Sequence, residues 1–249
     1  MSLKLPISSF RGQDAQGKKR KLQVPEAALP LVKTLLAKYS LDVERVRIAG
    51  RDFFFLHVAD LIPLFHMEVN ENAPEFPFWV KIWEASLVLS EFLAKIPPKQ
   101  DRRILELGAG MAVPGMVASS LGHHVTVTDY EDEIMDFVRV SAIFNACDDL
   151  KCEALDWFEP REDMGQFEII IGSELLFHPR FFPPLLNVIK KYLAPSGVVY
   201  MAHKADRETL FPFFKMAEED FSIAMQKHHF KSPEKEMDVL LTRLTRKQH

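Results

Sequence analysis

A glycine-rich turn between a short apolar strand and a helix constrains this chain more than any other stretch. It spans residues 103–115 and reads Arg-Ile-Leu-Glu-Leu-Gly-Ala-Gly-Met-Ala-Val-Pro-Gly. The apolar run at 104–107 predicts a buried strand, and a helix is predicted to begin at about Ala112. Gly108 and Gly110 can adopt positive φ, which lets the backbone approach a ligand. A helix that begins just after such a turn directs free N–H groups at that ligand.

Glu106 narrows the choice of ligand. A carboxylate near the end of a buried strand is costly to desolvate unless it meets a cation or hydrogen-bond donors. An acidic strand end beside a glycine turn therefore suits a ligand with an amino or sulfonium charge better than a pyrophosphate. The dinucleotide fingerprint requires a third glycine where Val113 stands, so the spacing argues against a NAD-dependent dehydrogenase. A glycine turn alone also occurs as a plain tight connection.

The next predicted strand ends in a second acidic residue. Residues 124–128 alternate and are rich in β-branched side chains, as in a strand. Asp129 follows roughly twenty residues after the glycines, the distance at which an acid meets a ribose diol. Asp129 is also placed to cap the next helix, because Asp-Tyr-Glu-Asp-Glu is a typical acidic helix start. The order of strand, glycine turn, helix, strand and acid favours the ribose role.

These two motifs resemble those of a known family. Glu-Leu-Gly-Ala-Gly at 106–110 and Val-Thr-Val-Thr-Asp at 125–129 are similar to the motifs of class I, seven-β-strand S-adenosylmethionine (SAM) methyltransferases. The resemblance covers about residues 78–244. It implies SAM as the cofactor and methyl transfer as the reaction.

The order of predicted elements agrees with an α/β fold. Hydrophobic periodicity predicts five β-α repeats and then two strands close together. Right-handed crossovers place the first five strands in a parallel, Rossmann-like doubly wound sheet, and the last two pair antiparallel at one edge. The strand at 167–172 is predicted to be central, because its apolar run is continuous. Ligands bind beyond the carboxyl ends of such strands. Four candidate residues fall there: Gly108, Asp129, Asp156 and Ser173.

Three regions are expected along the chain. Residues 1–24 form a polar tail whose basic cluster at 18–21 is either solvated or holds an acidic partner. Residues 25–75 form an extension with a helix and a β-hairpin, and residues 76–249 form the methyltransferase domain.

Charge and composition argue against several classes of protein. The net charge of −4 argues against a dedicated nucleic-acid binder, although it leaves room for a local basic patch. No apolar run reaches the roughly 18 residues of a membrane span, and the N-terminus lacks the order of a secretory signal. Cys147 and Cys152 are too few for a disulfide framework and have no zinc-motif spacing, so we expect a reduced, cytoplasmic chain without a metal site.

Aromatic residues are candidates for contact with the cofactor. Trp157 follows the third predicted strand, where an indole can stack on adenine while Asp156 accepts from its amino group. The alternative is a tryptophan at the core edge with a loop aspartate. Trp83 either covers the cofactor or packs its own helix. Tyr130, next to Asp129, is assigned to the same site.

The segment Ser-Glu-Leu-Leu-Phe-His at 173–178 is where methyl donor and acceptor are expected to meet. Methyl transfer is an in-line displacement that needs an aligned nucleophile and a site dry enough to exclude water. Glu174 can hold an acceptor ammonium or take its proton, unless it is a surface or capping charge. Phe177 can wall a narrow channel and offer its ring face to a cation. His178 is either a base or a helix-start residue beside Pro179.

Shorter strings resemble the protein-lysine methyltransferase branch of that superfamily (methyltransferase family 16). They are Trp-Glu-Ala-Ser from 83, Leu-Asp-Trp from 155 and Glu-Leu-Leu-Phe from 174. Glu174 and Phe177 replace the branch's usual Asp and Tyr, and Ala112 replaces a usual glycine. By this similarity the acceptor site holds Glu174 and Phe177. The residues in contact with SAM would be Trp83, Glu106, Gly108, Gly110, Asp129, Trp157 and Ser173.

Three hypotheses follow from this reading. The first is a SAM-dependent methyltransferase that acts on a protein lysine side chain. The second is a methyltransferase for a small-molecule amine or heterocycle, which the apolar Phe177 would suit. The third is a catalytically silent SAM-binding module, which the altered acceptor residues would allow.

Overall fold

The computed structural model describes residues 24–62, 77–100, 102–233 and 235–247, together with two short strands near the N-terminus. The strands are β1 (Gly12–Gln13), β2 (Lys19–Arg20), β3 (Leu41–Ile48), β4 (Arg51–Val58), β5 (Arg103–Glu106), β6 (His124–Asp129), β7 (Lys151–Ala154), β8 (Phe167–Ser173), β9 (Leu193–Lys204), β10 (Phe221–Lys231) and β11 (Glu236–Arg246). The helices are α1 (Leu29–Leu36), α2 (Glu84–Leu93), α3 (Val113–Ser120), α4 (Asp132–Phe144), α5 (Phe182–Tyr192) and α6 (Leu210–Ala217).

Seven strands form one sheet in the order β10-β11-β9-β8-β5-β6-β7. Strands β5 to β9 run parallel, whereas β11 pairs antiparallel with both β9 and β10. The predicted fold, a mostly parallel seven-stranded sheet with antiparallel pairing at one edge, is confirmed. The strand that runs against the others is β11, one position in from the edge.

Strand β8 is the middle strand of the seven, as its continuous apolar run predicted. Ile169 and Ile171 face one core, while Ile170 faces the other. The first core is covered by α2, α3 and α4, and the second by α5 and α6. Both faces of the sheet are therefore buried.

A separate hairpin of β3 and β4 packs against α4. The Phe54 N–H donates to Asn145 Oδ1 at 2.9 Å, and the Leu56 N–H donates to the Ser141 hydroxyl oxygen at 3.0 Å. These bonds satisfy backbone groups that a lone hairpin would leave exposed. Because Asn145 and Ser141 lie at the end of α4, the hairpin supports the helix that follows β6.

Near the N-terminus, β1 pairs antiparallel with β2, so the backbone of Lys19 and Arg20 lies in a short strand. The rest of the predicted polar tail lies outside the described residues, as does most of the irregular segment expected at 61–73. Within the described ranges, every helix is too short or too polar to cross a bilayer.

Candidate active site

The turn after β5 places glycine backbone at the carboxyl edge of the sheet. Gly108 and Gly110 have φ of +56° and +50°, as the glycine pattern predicted. A Cβ atom at Gly108 would lie 2.8 Å from Leu175 Cδ2 and 3.2 Å from Trp157 Cζ2. Only glycine fits this position, both for its backbone conformation and for the space around it. The turn therefore brings the loops after β7 and β8 against the end of β5.

Glu106 is buried beneath this turn and joins β5 to α3. Its Oε2 accepts from the Gly115 N–H at 2.8 Å. A buried carboxyl needs a cation or a hydrogen-bond donor, and here a backbone amide is the donor. Burial raises the pKa of the Glu106 carboxyl to about 8. A Cβ atom at residue 115 would lie 2.4 Å from both Glu106 Oε2 and Val127 Cγ1. Gly115 was not among the site residues predicted from the sequence. A glycine in the first turn of a predicted helix is unfavourable there, and it could have indicated a close packing contact.

Asp129 fixes the same turn from β6. Its Oδ2 accepts from the Gly110 N–H at 2.7 Å, and its Oδ1 accepts from the Tyr130 N–H at 2.8 Å. The carboxyl is 8% exposed, and burial raises its pKa to about 6. Each carboxylate oxygen keeps a further lone pair for a hydroxyl group. The N-cap of α4 is Glu131 rather than Asp129, which removes the capping alternative. The Tyr130 ring is 60% exposed beside it.

A row of aromatic side chains, here called the aromatic row, crosses the carboxyl edge. The Trp83 indole N–H donates to the Phe78 carbonyl at 2.9 Å, and the ring of Phe78 lies 5.7 Å from that of Phe177. The ring centroid of Phe177 lies 4.9 Å from that of Phe181, and the ring centroid of Phe181 lies 6.1 Å from that of Trp157. The row thus runs from the start of α2 to the loop after β7. It contains three sequence candidates, together with Phe78 and Phe181, which sequence analysis missed.

Asp156 and Ser173 flank this row from the ends of their strands. Asp156 is exposed, and its Oδ1 accepts from the Phe158 N–H at 2.8 Å, so it shapes the loop after β7. Ser173 is half-buried at the end of β8, opposite Ala202 of β9.

His178 caps a short turn of 3₁₀ helix at Pro179–Phe181. Its Nδ1 accepts from the Arg180 N–H at 3.1 Å. This geometry agrees with the helix-start alternative for His178 rather than with a base.

Glu174 has an unusual backbone conformation and two partners. Its φ is +55°, a region that residues with a Cβ seldom adopt. Its Oε1 accepts from the Lys204 N–H at 2.8 Å, and its Oε2 forms an ion pair with the Arg207 guanidinium. The Glu174 side chain is only 10% exposed. Arg207 follows 33 residues later, so no local pattern in the sequence pointed to it.

The site therefore has two sides. The donor side consists of the bare glycine turn with the carboxyl groups of Glu106 and Asp129. The acceptor side consists of the aromatic row and the loop that carries Glu174. A bare backbone, aromatic faces and a carboxyl group with free lone pairs are what an adenosyl amino acid requires, so the residues present fit SAM.

Comparison with known proteins agrees with this geometry. The family model described as "Lysine methyltransferase" matches residues 66–220, more than half of the chain. Protein N-lysine methyltransferase METTL21A of Xenopus tropicalis is 27% identical over 164 residues, which are 64% of this chain and 76% of that protein. EEF1A lysine methyltransferase 3 of Mus musculus is 26% identical over 133 residues, which are 51% of this chain and 56% of that protein.

Solved structures share the fold. A SAM-dependent methyltransferase from Agrobacterium tumefaciens has a TM-score of 0.58 at 14% identity, covering 94% of this chain and 83% of that one. The 16S rRNA N2 G1207 methyltransferase of T. thermophilus, solved with AdoMet and guanosine, has a TM-score of 0.56 at 21% identity, covering 83% of this chain and 51% of that one. With the family match, the chain belongs to the lysine methyltransferase family and is a SAM-dependent methyltransferase.

Proposed function

We propose that this protein transfers the methyl group of SAM to the ε-amino group of a lysine in a protein substrate. The observation that carries the proposal is the packing of the acceptor loop on the glycine turn. Leu175, between Glu174 and Phe177, lies against Gly108. The relatives named as protein lysine methyltransferases support the same substrate class.

The donor side is proposed to hold the cofactor. The amino-acid part of SAM would lie on the backbone at Gly108 and Gly110, and Asp129 would accept from the ribose hydroxyls. Glu106 would keep the turn in place rather than touch the ligand, because it is buried against Gly115. The further contacts that we propose are Trp83, Tyr130, Asp156, Trp157 and Ser173.

The acceptor side is proposed to orient the lysine. SAM, when bound, supplies a methyl group on a positively charged sulfur. The chain must then align a neutral amine and exclude water. Phe177 is half-buried between Phe78 and Phe181, so it can form one wall of a dry channel. Glu174, held by Arg207, would fix the position of the incoming side chain.

The division of the chain also remains a proposal. We propose that residues 76–249 form the catalytic domain and that residues 25–75 support it through the β3–β4 hairpin, with residues 1–24 as a tail. The packing of this hairpin on α4 supports the role of the extension. We further propose a cytoplasmic location, supported by free thiols at Cys147 and Cys152.

Labelling with isotopic SAM tests the function. The purified protein, methyl-labelled SAM and a cell lysate should yield a discrete labelled protein, in which mass spectrometry places the methyl group on lysine. Phe177→Ala should weaken the band strongly at equal reaction time, whereas Phe211→Ala, at an aromatic side chain 75% exposed on α6, should keep it. Label found only in small molecules would favour the small-amine alternative, and a complete lack of turnover would favour the silent module.

A further inference from the structure

Arg207 is a charged group that methyl transfer itself does not call for, yet it meets the acceptor loop directly. It lies in the connection between β9 and α6, and its guanidinium pairs with Glu174 Oε2. A second contact in the same connection joins the Thr209 hydroxyl to the Leu176 carbonyl. The acceptor loop is therefore attached to the β9–α6 connection at two points, one of which carries charge.

The positive charge of Arg207 balances the negative charge of Glu174, so the pair has no net charge. Its other oxygen already accepts from the Lys204 N–H. The pair is largely buried, with 10% of the Glu174 side chain and 25% of the Arg207 side chain exposed. Charges in such a setting are less screened than charges on an open surface. An amine that reaches Glu174 thus meets a neutral ion pair and not a free carboxylate.

The neighbouring groups do not restore a negative charge. His203 is fully buried beside Arg207. Its burial, and to a lesser extent the positive charge of Arg207, lowers the pKa of His203 to about 3, so its ring is neutral. Lys204 pairs with Asp206, and Glu84 pairs with Lys235.

Two cations lie over rings of the aromatic row. Lys81 lies over Trp83, and Arg180 lies over Phe181. Glu208 is exposed and lines a surface groove that Arg207 also lines, together with Phe211 and Met225.

The charge state of the acceptor decides whether it can react. A neutral amine donates its lone pair to the methyl carbon while the carbon–sulfur bond breaks and its electron pair stays on sulfur; the resulting ammonium then loses a proton to water. A protonated amine has no lone pair to donate. A free carboxylate within about 4–6 Å would raise the pKa of an amine by 1–3 units and keep it protonated.

We infer that Arg207 is a positioning residue that neutralises Glu174, so that the acceptor side admits the nucleophile as a neutral amine in preference to its ammonium form. The inference rests on the proposed function, because it assigns the acceptor side to Glu174. It gives Arg207 a role in specificity that neither the family match nor the sequence motifs include.

Two cofactor analogues test this charge without any acceptor. S-adenosylhomocysteine is neutral where SAM carries its methyl group, whereas sinefungin carries a primary amine there, which is protonated at pH 7. In the wild-type protein the two dissociation constants should be similar. In Arg207→Gln, calorimetric titration should show sinefungin bound about tenfold tighter relative to S-adenosylhomocysteine. Arg207→Lys should keep the wild-type ratio, and the double variant Glu174→Gln/Arg207→Gln should lose the gain.

Lys215→Gln provides the matched control, because Lys215 lies on α6 near the same groove as Arg207 and forms no ion pair with Glu174. In Lys215→Gln, the ratio of the dissociation constants of sinefungin and S-adenosylhomocysteine should equal that of the wild type. An unchanged ratio in Arg207→Gln, with S-adenosylhomocysteine still bound, would overturn the inference and leave the proposed function intact. Failure of the wild-type protein to bind S-adenosylhomocysteine would instead overturn the proposed function, and this inference with it.

Discussion

The donor and acceptor sides of the site hold their carboxyl groups in different ways. On the donor side, Glu106 and Asp129 are buried, accept from backbone N–H groups, and have pKa values raised by burial. On the acceptor side, Glu174 is held by the guanidinium of Arg207, which comes from a distant connection. The donor carboxyl groups are thus held by backbone amides, whereas the acceptor carboxylate combines one backbone amide with a long-range ion pair.

This difference matches what each side must recognise. A cofactor has a constant shape, so backbone amides and glycines can be fixed around it. An acceptor varies among enzymes with one fold. Because Glu174 depends on a partner from a separate loop, its charge environment can change without a change in the glycine turn. The following predictions test that separation, from the largest expected effect to the smallest.

The largest effect is expected from Gly115→Ala. The new Cβ would meet Glu106 Oε2 and Val127 Cγ1 at 2.4 Å. Overpacking typically costs about 1–3 kcal/mol, and two contacts this short place the cost near the upper end, where it outweighs the gain of about 1 kcal/mol that alanine brings to a helix. We expect the free energy of unfolding in urea to fall by about 2 kcal/mol and S-adenosylhomocysteine affinity to fall with it.

Gly50→Ala is the control for that experiment. A Cβ at Gly50 would have nothing within 4 Å, although its φ is +77°. It should cost only the backbone strain, about 1 kcal/mol, and leave affinity unchanged. Equal effects of the two variants on ligand affinity would contradict a donor side fixed by the Glu106–Gly115 bond.

A pH-dependent effect is expected from Glu106→Gln. The pKa of Glu106 is about 8 in the folded protein, against an ordinary value of 4.5 for this carboxyl. A raised carboxyl pKa stabilises the folded state below pH 4.5, and this contribution is lost as pH rises through 8. Glutamine does not titrate, so the variant should gain stability relative to the wild type as the pH rises from 5 to 8.5. Urea unfolding at the two pH values measures the gain, and a constant difference would refute it.

Phe177→Ala should affect the acceptor side alone. Loss of the ring opens the aromatic row between Phe78 and Phe181. We expect kcat/KM to fall about 30-fold, equivalent to about 2 kcal/mol, while the Kd of S-adenosylhomocysteine stays within twofold. Phe177→Tyr keeps the ring and should retain most of the activity. If the alanine variant also lost cofactor affinity, the two sides would not be separable.

The smallest effect is expected from Ala112→Gly. Ala112 is fully buried and has a φ of +52°, where glycine is less strained. The relief of strain is opposed by the greater entropy of glycine in the unfolded chain. The free energy of unfolding should change by less than about 1 kcal/mol in urea titrations. A larger loss would show that the methyl group of Ala112 is needed for packing beneath the turn.

The two sides also differ in how far the sequence predicted them. Gly108 and Gly110 come just after β5, and Asp129 is the last residue of β6. The hydrophobic pattern of these strands and the spacing along the chain were therefore sufficient to predict that the three residues lie at the carboxyl edge of the sheet. Gly115 was missed because its constraint comes from Glu106 and Val127, which meet it only in the folded sheet.

The acceptor side shows the same limit more strongly. The resemblance placed Glu174 and Phe177 in the loop after β8, but not their partners Arg207 and Phe181. An ion pair between residues 33 positions apart leaves no periodic trace in a single sequence. The positive φ of Glu174 was likewise invisible, because residues other than glycine give no signal for it.

A crystal structure with S-adenosylhomocysteine bound tests the central claim most directly. The account predicts that the amino-acid part lies on the backbone of Gly108 and Gly110, that the ribose contacts Asp129, and that the sulfur faces the acceptor side between Phe177 and Glu174. A ligand bound elsewhere, or a sulfur directed away from the aromatic row, would contradict it.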